Sequence, residues 1–278
     1  GRVPVSEHHL LKRRRRGTRA GHHYRQRYSL GQIERRTYRN DVVELSVRKV
    51  DCSTETIPVI ITPITSRVRI PITHANRLNE HSNLVSVPLE DSRLPTICLT
   101  NVNHISNKLD DLSVFVRMHS PSVICLTESW LNNTIPDCAV NIQNYNLTRK
   151  DRPSTGGGVL MYIADNLKFR RLAEFENDQC ELMWVAVRPT VLPRPLSILL
   201  FAVVYCPPAY NAEQKCSLSK FILTSTDQLL KKYPNAGLFI TGDFNTLDTT
   251  LFNRHLGLTQ IVEKPTRQKN ILDKIFTN

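Results

Sequence analysis

The stretch Leu238-Phe239-Ile240-Thr241-Gly242-Asp243-Phe244-Asn245 decides how the chain is read. Three apolar residues run into a glycine, and an Asp and an Asn then stand two positions apart, so on an extended backbone both polar side chains leave the same face. The pattern predicts a buried strand that delivers a carboxylate and a carboxamide to one sheet edge. Such a pair suits hydrolysis, with the carboxylate taking a proton from water while the amide donates to a phosphate oxygen. A strand closed by an ordinary Asp/Asn turn is the alternative.

Working outward, the same strand logic recurs upstream. Residues 96–100 read as a buried strand ending at Asn101. Asn103 or Ser106 then caps a helix whose Leu109, Leu112, Phe115 and Val116 fall at helical spacing. Val123–Thr127 is a second buried strand, and it delivers Glu128. Strand, helix, strand predicts a parallel pair, which puts Asn101 and Glu128 on one edge, where open α/β sheets place ligands. Gly156-Gly157-Gly158 reads as a turn before a strand over 159–163. The run lacks the spacing and the Lys of a phosphate-binding P-loop.

Residues 181–187 and 196–205 form an antiparallel hairpin across Pro189, Pro193 and Pro195, with Tyr205 closing its second strand. An amphipathic helix over 212–232 turns Phe221, Ile222, Leu229 and Leu230 inward. Downstream come a short helix over 247–255, a loop at Pro265-Thr266-Arg267, and a strand over 271–278. Asp273 interrupts that last strand, and a carboxylate among Leu272, Ile275 and Phe276 needs a partner unless it simply faces out of a half-buried sheet.

Charge is unevenly placed. Twelve of the 37 Lys and Arg but two of the 25 Asp and Glu lie in residues 1–39, so most of the net +12 sits there. Residues 1–39, with Arg13, Arg14, Arg15 and Arg16 in one run, have no apolar periodicity and are expected to be a disordered basic arm. Such an arm either binds nucleic acid, DNA or RNA, by counterion release and serves nuclear import, or is a solvated tail. Residues 40–95 alternate β-branched runs with Pro58, Pro63 and Pro71, and are read as a linker with at most one hairpin. The third segment, 96–278, is the folded domain.

Seven spread cysteines without a Cys-x-x-Cys pair argue against a zinc site and a disulfide framework. No apolar run reaches the roughly 18 residues of a membrane span, and no signal-peptide apolar region opens the chain, so an intracellular protein is expected, with the basic arm pointing to the nucleus.

Seven pieces follow one another in order. They are Thr100-Asn101-Val102 with Asn107-Lys108-Leu109-Asp110, Leu126-Thr127-Glu128-Ser129-Trp130-Leu131, Arg149-Lys150-Asp151-Arg152 before Gly156-Gly157-Gly158-Val159, Val204-Tyr205-Cys206-Pro207-Pro208, Thr241-Gly242-Asp243-Phe244-Asn245, Pro265-Thr266-Arg267 and Leu272-Asp273-Lys274-Ile275. Together they resemble the endonuclease/exonuclease/phosphatase superfamily and, within it, the endonucleases of non-long-terminal-repeat retrotransposons. The resemblance implies an α/β fold, a four-layer sandwich of two packed mixed sheets flanked by helices. It implies that Glu128 binds Mg²⁺ (or Mn²⁺) with help from Asn101, that Asp243 orients or deprotonates water, and that Asn245 and Tyr205 hydrogen-bond the scissile phosphate. Asp273 would orient a catalytic His, and Arg149, Arg152 and Thr266 would contact nucleic acid beside the arm.

The implied activity is DNA nicking that leaves an end for a downstream reverse transcriptase. Asn103-His104 stands where the family usually has Arg-Ser. The family also closes with a Ser-Asp-His segment and a strand beyond the Asp273 position. The sequence ends at Asn278, and none of His104, His119 or His255 lies in a matching motif, so impaired nicking by these residues alone is expected. A catalytically dead nucleic-acid-binding remnant and a phosphoesterase acting on small molecules are the alternatives.

Overall fold

The computed structural model describes residues 94–278, together with the backbone of three strands before them: β1 (Glu34–Arg36), β2 (Glu44–Lys49) and β3 (Val59–Ile64). The Arg13 to Arg16 run lies outside the described residues, as does most of the stretch read as a linker. Within that stretch β2 and β3 pair antiparallel, and residues 59–61 of β3 also pair with residues 97–99. The prolines had argued against an inner strand. Pro63 falls beyond the three residues paired on that side, so the lost donor leaves that ladder intact.

Two mixed sheets stack. The first runs β1-β2-β3-β4-β5-β7-β6, with β4 (Ile97–Asn101), β5 (Val123–Thr127), β6 (Tyr145–Lys150) and β7 (Val159–Ala164). In the second the order is β12-β13-β11-β10-β9-β8. Its members are β8 (Lys168–Arg171), β9 (Glu181–Arg188), β10 (Ile198–Tyr205), β11 (Ala236–Asp243), β12 (Thr259–Gln260) and β13 (Asp273–Thr277). Helix α1 (Leu109–His119) covers the first sheet, while α2 (Ala212–Lys232) and α3 (Thr250–Leu256) cover the second.

Strand periodicity builds all three cores. Leu99, Cys125 and Met161 face Met183, Phe201, Phe239 and Ile275 between the sheets. Their alternates turn outward, Ile124, Leu126 and Tyr162 onto Leu112, Phe115 and Val116 of α1, and Leu200, Leu238 and Ile240 onto Leu218, Ile222 and Leu229 of α2. Strands buried on both faces read as continuous apolar runs, which is why β4, β5, β10 and β11 stand out in the sequence. Of the expected inward set of α2, Ile222 and Leu229 are buried, whereas Phe221 and Leu230 only flank the core, and Leu218, Ser225 and Thr226 enter it instead. An Asn211–Gln214 capping box starts that helix.

Other expectations need correcting. Neither Asn103 nor Ser106 caps α1, which starts from Lys108 after a 3₁₀ turn over Ile105–Asn107. The reason is that the loop is pinned elsewhere, with Asn103 N–H donating to Asn101 Oδ1 and His104 N–H to the Glu128 carbonyl. Helix α3 begins at Thr250 rather than Leu247, and β13 at Asp273 rather than Ile271. The half-exposed edge strand β6 and the short β8 and β12 carry too little apolar pattern to be read in advance.

Candidate active site

Two parallel strand pairs, one in each sheet, end side by side. In the first, Asn101 of β4 stands opposite Thr127 of β5, so the next residue, Glu128, leaves the same edge. The second places Tyr205 of β10 opposite Asp243 of β11, and Asp243 in turn faces Asp273 on β13. This packing is what joins residues 142 positions apart. Asn101 Nδ2 donates both to Glu128 Oε1 at 2.7 Å and to Asp243 Oδ2 at 3.0 Å, so one amide ties the two sheets together.

Each further contact sharpens the arrangement. Tyr205 donates its hydroxyl to Glu128 Oε1 at 3.0 Å, and Trp130 Nε1 reaches Glu128 Oε2 at 3.4 Å. Asn245 N–H donates to Asp243 Oδ1 at 3.0 Å, while its amide Nδ2 donates to the Cys206 carbonyl at 2.9 Å. Glu128, Trp130 and Asn245 hold left-handed backbone, with φ of 54°, 56° and 44°. Such conformations are costly for side-chain-bearing residues and persist where the surroundings impose them. Here the strand ends are bent so that side chains converge.

The site is rich in negative charge. Burial raises the Asp243 carboxyl above the usual range, and the nearby Glu128 charge adds to it, against N–H donation from Asn101 and Asn245. The Tyr205 phenol is raised by burial and by Glu128, so it stays a donor. The Asp273 carboxyl is pushed up to about 7, through burial first and the Asp243 charge second. Thr266 Oγ1 accepts the Leu272 and Asp273 N–H groups at 3.1 and 3.0 Å, yet Asp273 Oδ1 has no hydrogen-bond partner among the described residues.

That carboxyl makes a testable link to stability. Its folded pKa lies above the unfolded one, so between about pH 4 and pH 7 the folded state holds a proton that the unfolded chain has released, and stability falls as pH rises through that window. Asp273→Asn is expected to flatten this fall and to stabilise the metal-free protein at pH 8 by at most about 4 kcal/mol. Denaturation midpoints from pH 4 to pH 8 measure it. An unchanged slope would mean that Asp273 ionises freely.

Not every sequence-read contact reaches this edge. The Arg149 guanidinium is taken up by the Ile135 carbonyl at 2.7 Å and by Asp137 at 2.9 Å. Arg152 pairs with Glu181 at 3.1 Å. Thr266 is buried, and its hydroxyl is spent on the backbone of the Asp273 strand. The sequence reading gave no site role to Trp130 or Glu181, and named His104 only as a departure from the family pattern. Trp130 is exposed beside Glu128, with the His104 ring edge-on at 5.6 Å. The Glu128-Ser129-Trp130 motif was the available signal for Trp130. For Glu181, the first residue of a buried strand, no local signal existed.

The residues fit a hard divalent cation. Every donor at the edge is an oxygen, from Glu128, Asn101, Asp243 or Asp273, and one buried carboxylate oxygen is unpartnered. Among the described residues no three His, Cys, Asp or Glu side chains close a cage around an ion. An open site of this kind suits Mg²⁺, which keeps several of its waters.

Comparison with known proteins gives one family match and several structural likenesses. A model of the Endonuclease/Exonuclease/phosphatase family matches residues 98–278. Among solved structures the chain is similar to the 3′ phosphatase NExo from Neisseria bound to a product DNA hairpin, at 13% identity and a TM-score of 0.47, covering 66% of this chain and 86% of that one. It is similar to the endonuclease domain of TRAS1, a telomere-specific non-LTR retrotransposon, at 13% identity, TM-score 0.44, and 65% and 82% coverage. An AP endonuclease from Archaeoglobus fulgidus gives 13% identity, TM-score 0.43, and 66% and 86% coverage. The search of curated proteins finds no match. With the family model spanning both sheets' converging strand ends, the chain belongs to the Endonuclease/Exonuclease/phosphatase family.

Proposed function

We propose that this chain is a DNA endonuclease of the non-LTR retrotransposon kind, which hydrolyses a phosphodiester with Mg²⁺ or Mn²⁺ and leaves an end from which a reverse transcriptase can prime. The observation that carries the reading is the Asn101 amide held between Glu128 and Asp243. One sheet thus supplies a cation-binding carboxylate, and the other a buried, more basic one for water.

Glu128 and Asn101 would hold the divalent ion, which would supply positive charge at the phosphate oxygens. Asp243 orients the attacking water and accepts its proton, helped by a carboxyl that burial has made more basic. Tyr205 donates to the phosphate in place of Glu128 Oε1, and the second Asn245 Nδ2 hydrogen remains for the same purpose. No imidazole hydrogen-bonds Asp273 Oδ1 among the described residues, so turnover by residues 1–278 is expected to be slow. The positive charge concentrated in residues 1–39 supports a polyanionic substrate, DNA first and RNA second. The same basic run supports nuclear import, and no helix among the described residues is long and apolar enough to cross a membrane.

Conversion of supercoiled plasmid to open circles with Mg²⁺ tests the reading. It is expected to fall about 10²–10³-fold in Asp243→Asn, the scale of losing one preorganised catalytic group. Hydrolysis of a small phosphomonoester without nicking would instead make the chain a phosphatase. Plasmid binding with neither activity would make it a binding remnant.

A further inference from the structure

We propose that Glu181 is a positioning residue for Glu128, acting through the glycine strap of residues 156–158. The proposal rests on the reading of Glu128 as the cation-holding carboxylate. Glu181 opens β9 directly opposite Tyr205, is buried, and takes no part in the mechanism above. Keeping a carboxylate there is costly, and burial raises its pKa. What it holds is the strap. Its Oε2 accepts the Gly158 N–H, and its Oε1 lies 3.1 Å from Arg152 Nη2, a charge contact that fixes the near side of the same loop.

The strap holds the turn that aims Glu128. Gly158 O accepts Ser129 N–H at 3.2 Å and Gly157 O accepts Trp130 N–H at 2.9 Å, the two residues that follow Glu128. Glu128 itself sits in left-handed backbone, and those two bonds hold its turn on the strap side, while His104 and Ile105 N–H groups donate to the Glu128 and Ser129 carbonyls on the other. The threading leaves no slack. A Cβ on Gly157 would stand 2.5 Å from Glu181 Oε2, and one on Gly158 2.6 Å from Ser129 Oγ. A route of hydrogen bonds therefore runs from Glu181 through Gly158 to Ser129, and so to the carboxylate that faces Asn101.

Hydrogen exchange on the full chain tests this without needing activity. In Glu181→Ala the Ser129 and Trp130 amides are expected to exchange roughly tenfold faster or more, the equivalent of losing one hydrogen bond to a charged group, while amides of β4 and β5 keep their rates. Mg²⁺ affinity, read by calorimetry, should fall about 10–100-fold, as for other groups that orient a metal ligand. Glu181→Gln keeps an acceptor for Gly158 N–H and should show the same pattern to a smaller degree. It also stands in if the Ala variant does not fold. Unchanged exchange at Ser129 and Trp130 in a folded variant would overturn the proposal, as would equal acceleration throughout β4 and β5. If wild type binds no Mg²⁺, the cation reading of Glu128 fails, while exchange still decides whether Glu181 holds the turn.

Discussion

Glu128→Gln is expected to weaken Mg²⁺ binding by about 100-fold or more, because groups that merely orient a ligand already cost 10–100-fold when removed. Glu128 is the carboxylate on which three donors converge, Asn101, Tyr205 and Trp130. The isosteric Gln keeps the volume but puts an N–H₂ where one carboxylate oxygen stood, so it faces a donor and offers the ion one neutral oxygen. Trp130→Phe removes only the indole N–H at 3.4 Å and is expected to cost less than tenfold. Calorimetric titration of the three proteins separates these cases. A Kd for Glu128→Gln within threefold of wild type would place the ion elsewhere.

Among the described glycines, Gly242 is the one where alanine is expected to be most destabilising. The backbone at Gly242 has φ of 152°, and an added Cβ would lie 1.9 Å from the Val204 carbonyl oxygen, with Val204 C and N within 2.9 Å. All three atoms are backbone of the neighbouring parallel strand, so no side chain can rotate away. Strands β10 and β11 would have to part at the register that sets Tyr205 beside Asp243. The expected loss exceeds about 4 kcal/mol, in the range reserved for core or backbone disruption. Gly257→Ala is the control. It also has positive φ, 65°, but nothing lies within 4 Å of its Cβ, so only the left-handed strain of about 1–2 kcal/mol applies. Denaturant midpoints compare the two. Similar losses would mean that the β10–β11 approach is looser than its geometry.

The contrast between those glycines shows how far the sequence could be read. Gly242 before Asp243 was visible as the end of a buried strand, but nothing in its neighbours announced Val204 pressed against it. Likewise, the three-glycine run was readable as a turn with room for close backbone approach. That the approaching groups are Ser129 and Glu181 depends on residues 23 to 29 positions away.

By itself the sequence determined the two-residue alternation and the continuous apolar runs, and with them strands β4, β5, β10 and β11, helix α2, and the delivery of Asn101, Glu128, Tyr205 and Asp243 to strand ends. These follow from local periodicity, because a doubly buried strand must be apolar along its whole length. Only the tertiary structure decided that the two sheets stack with those ends together, so that one Asn101 amide binds a carboxylate from each. It also assigned Arg149 to Asp137, Thr266 to the Asp273 backbone and Glu181 to the strap. A side chain's partner is set by which surfaces pack, and packing joins residues whose separation along the chain carries no periodic signal.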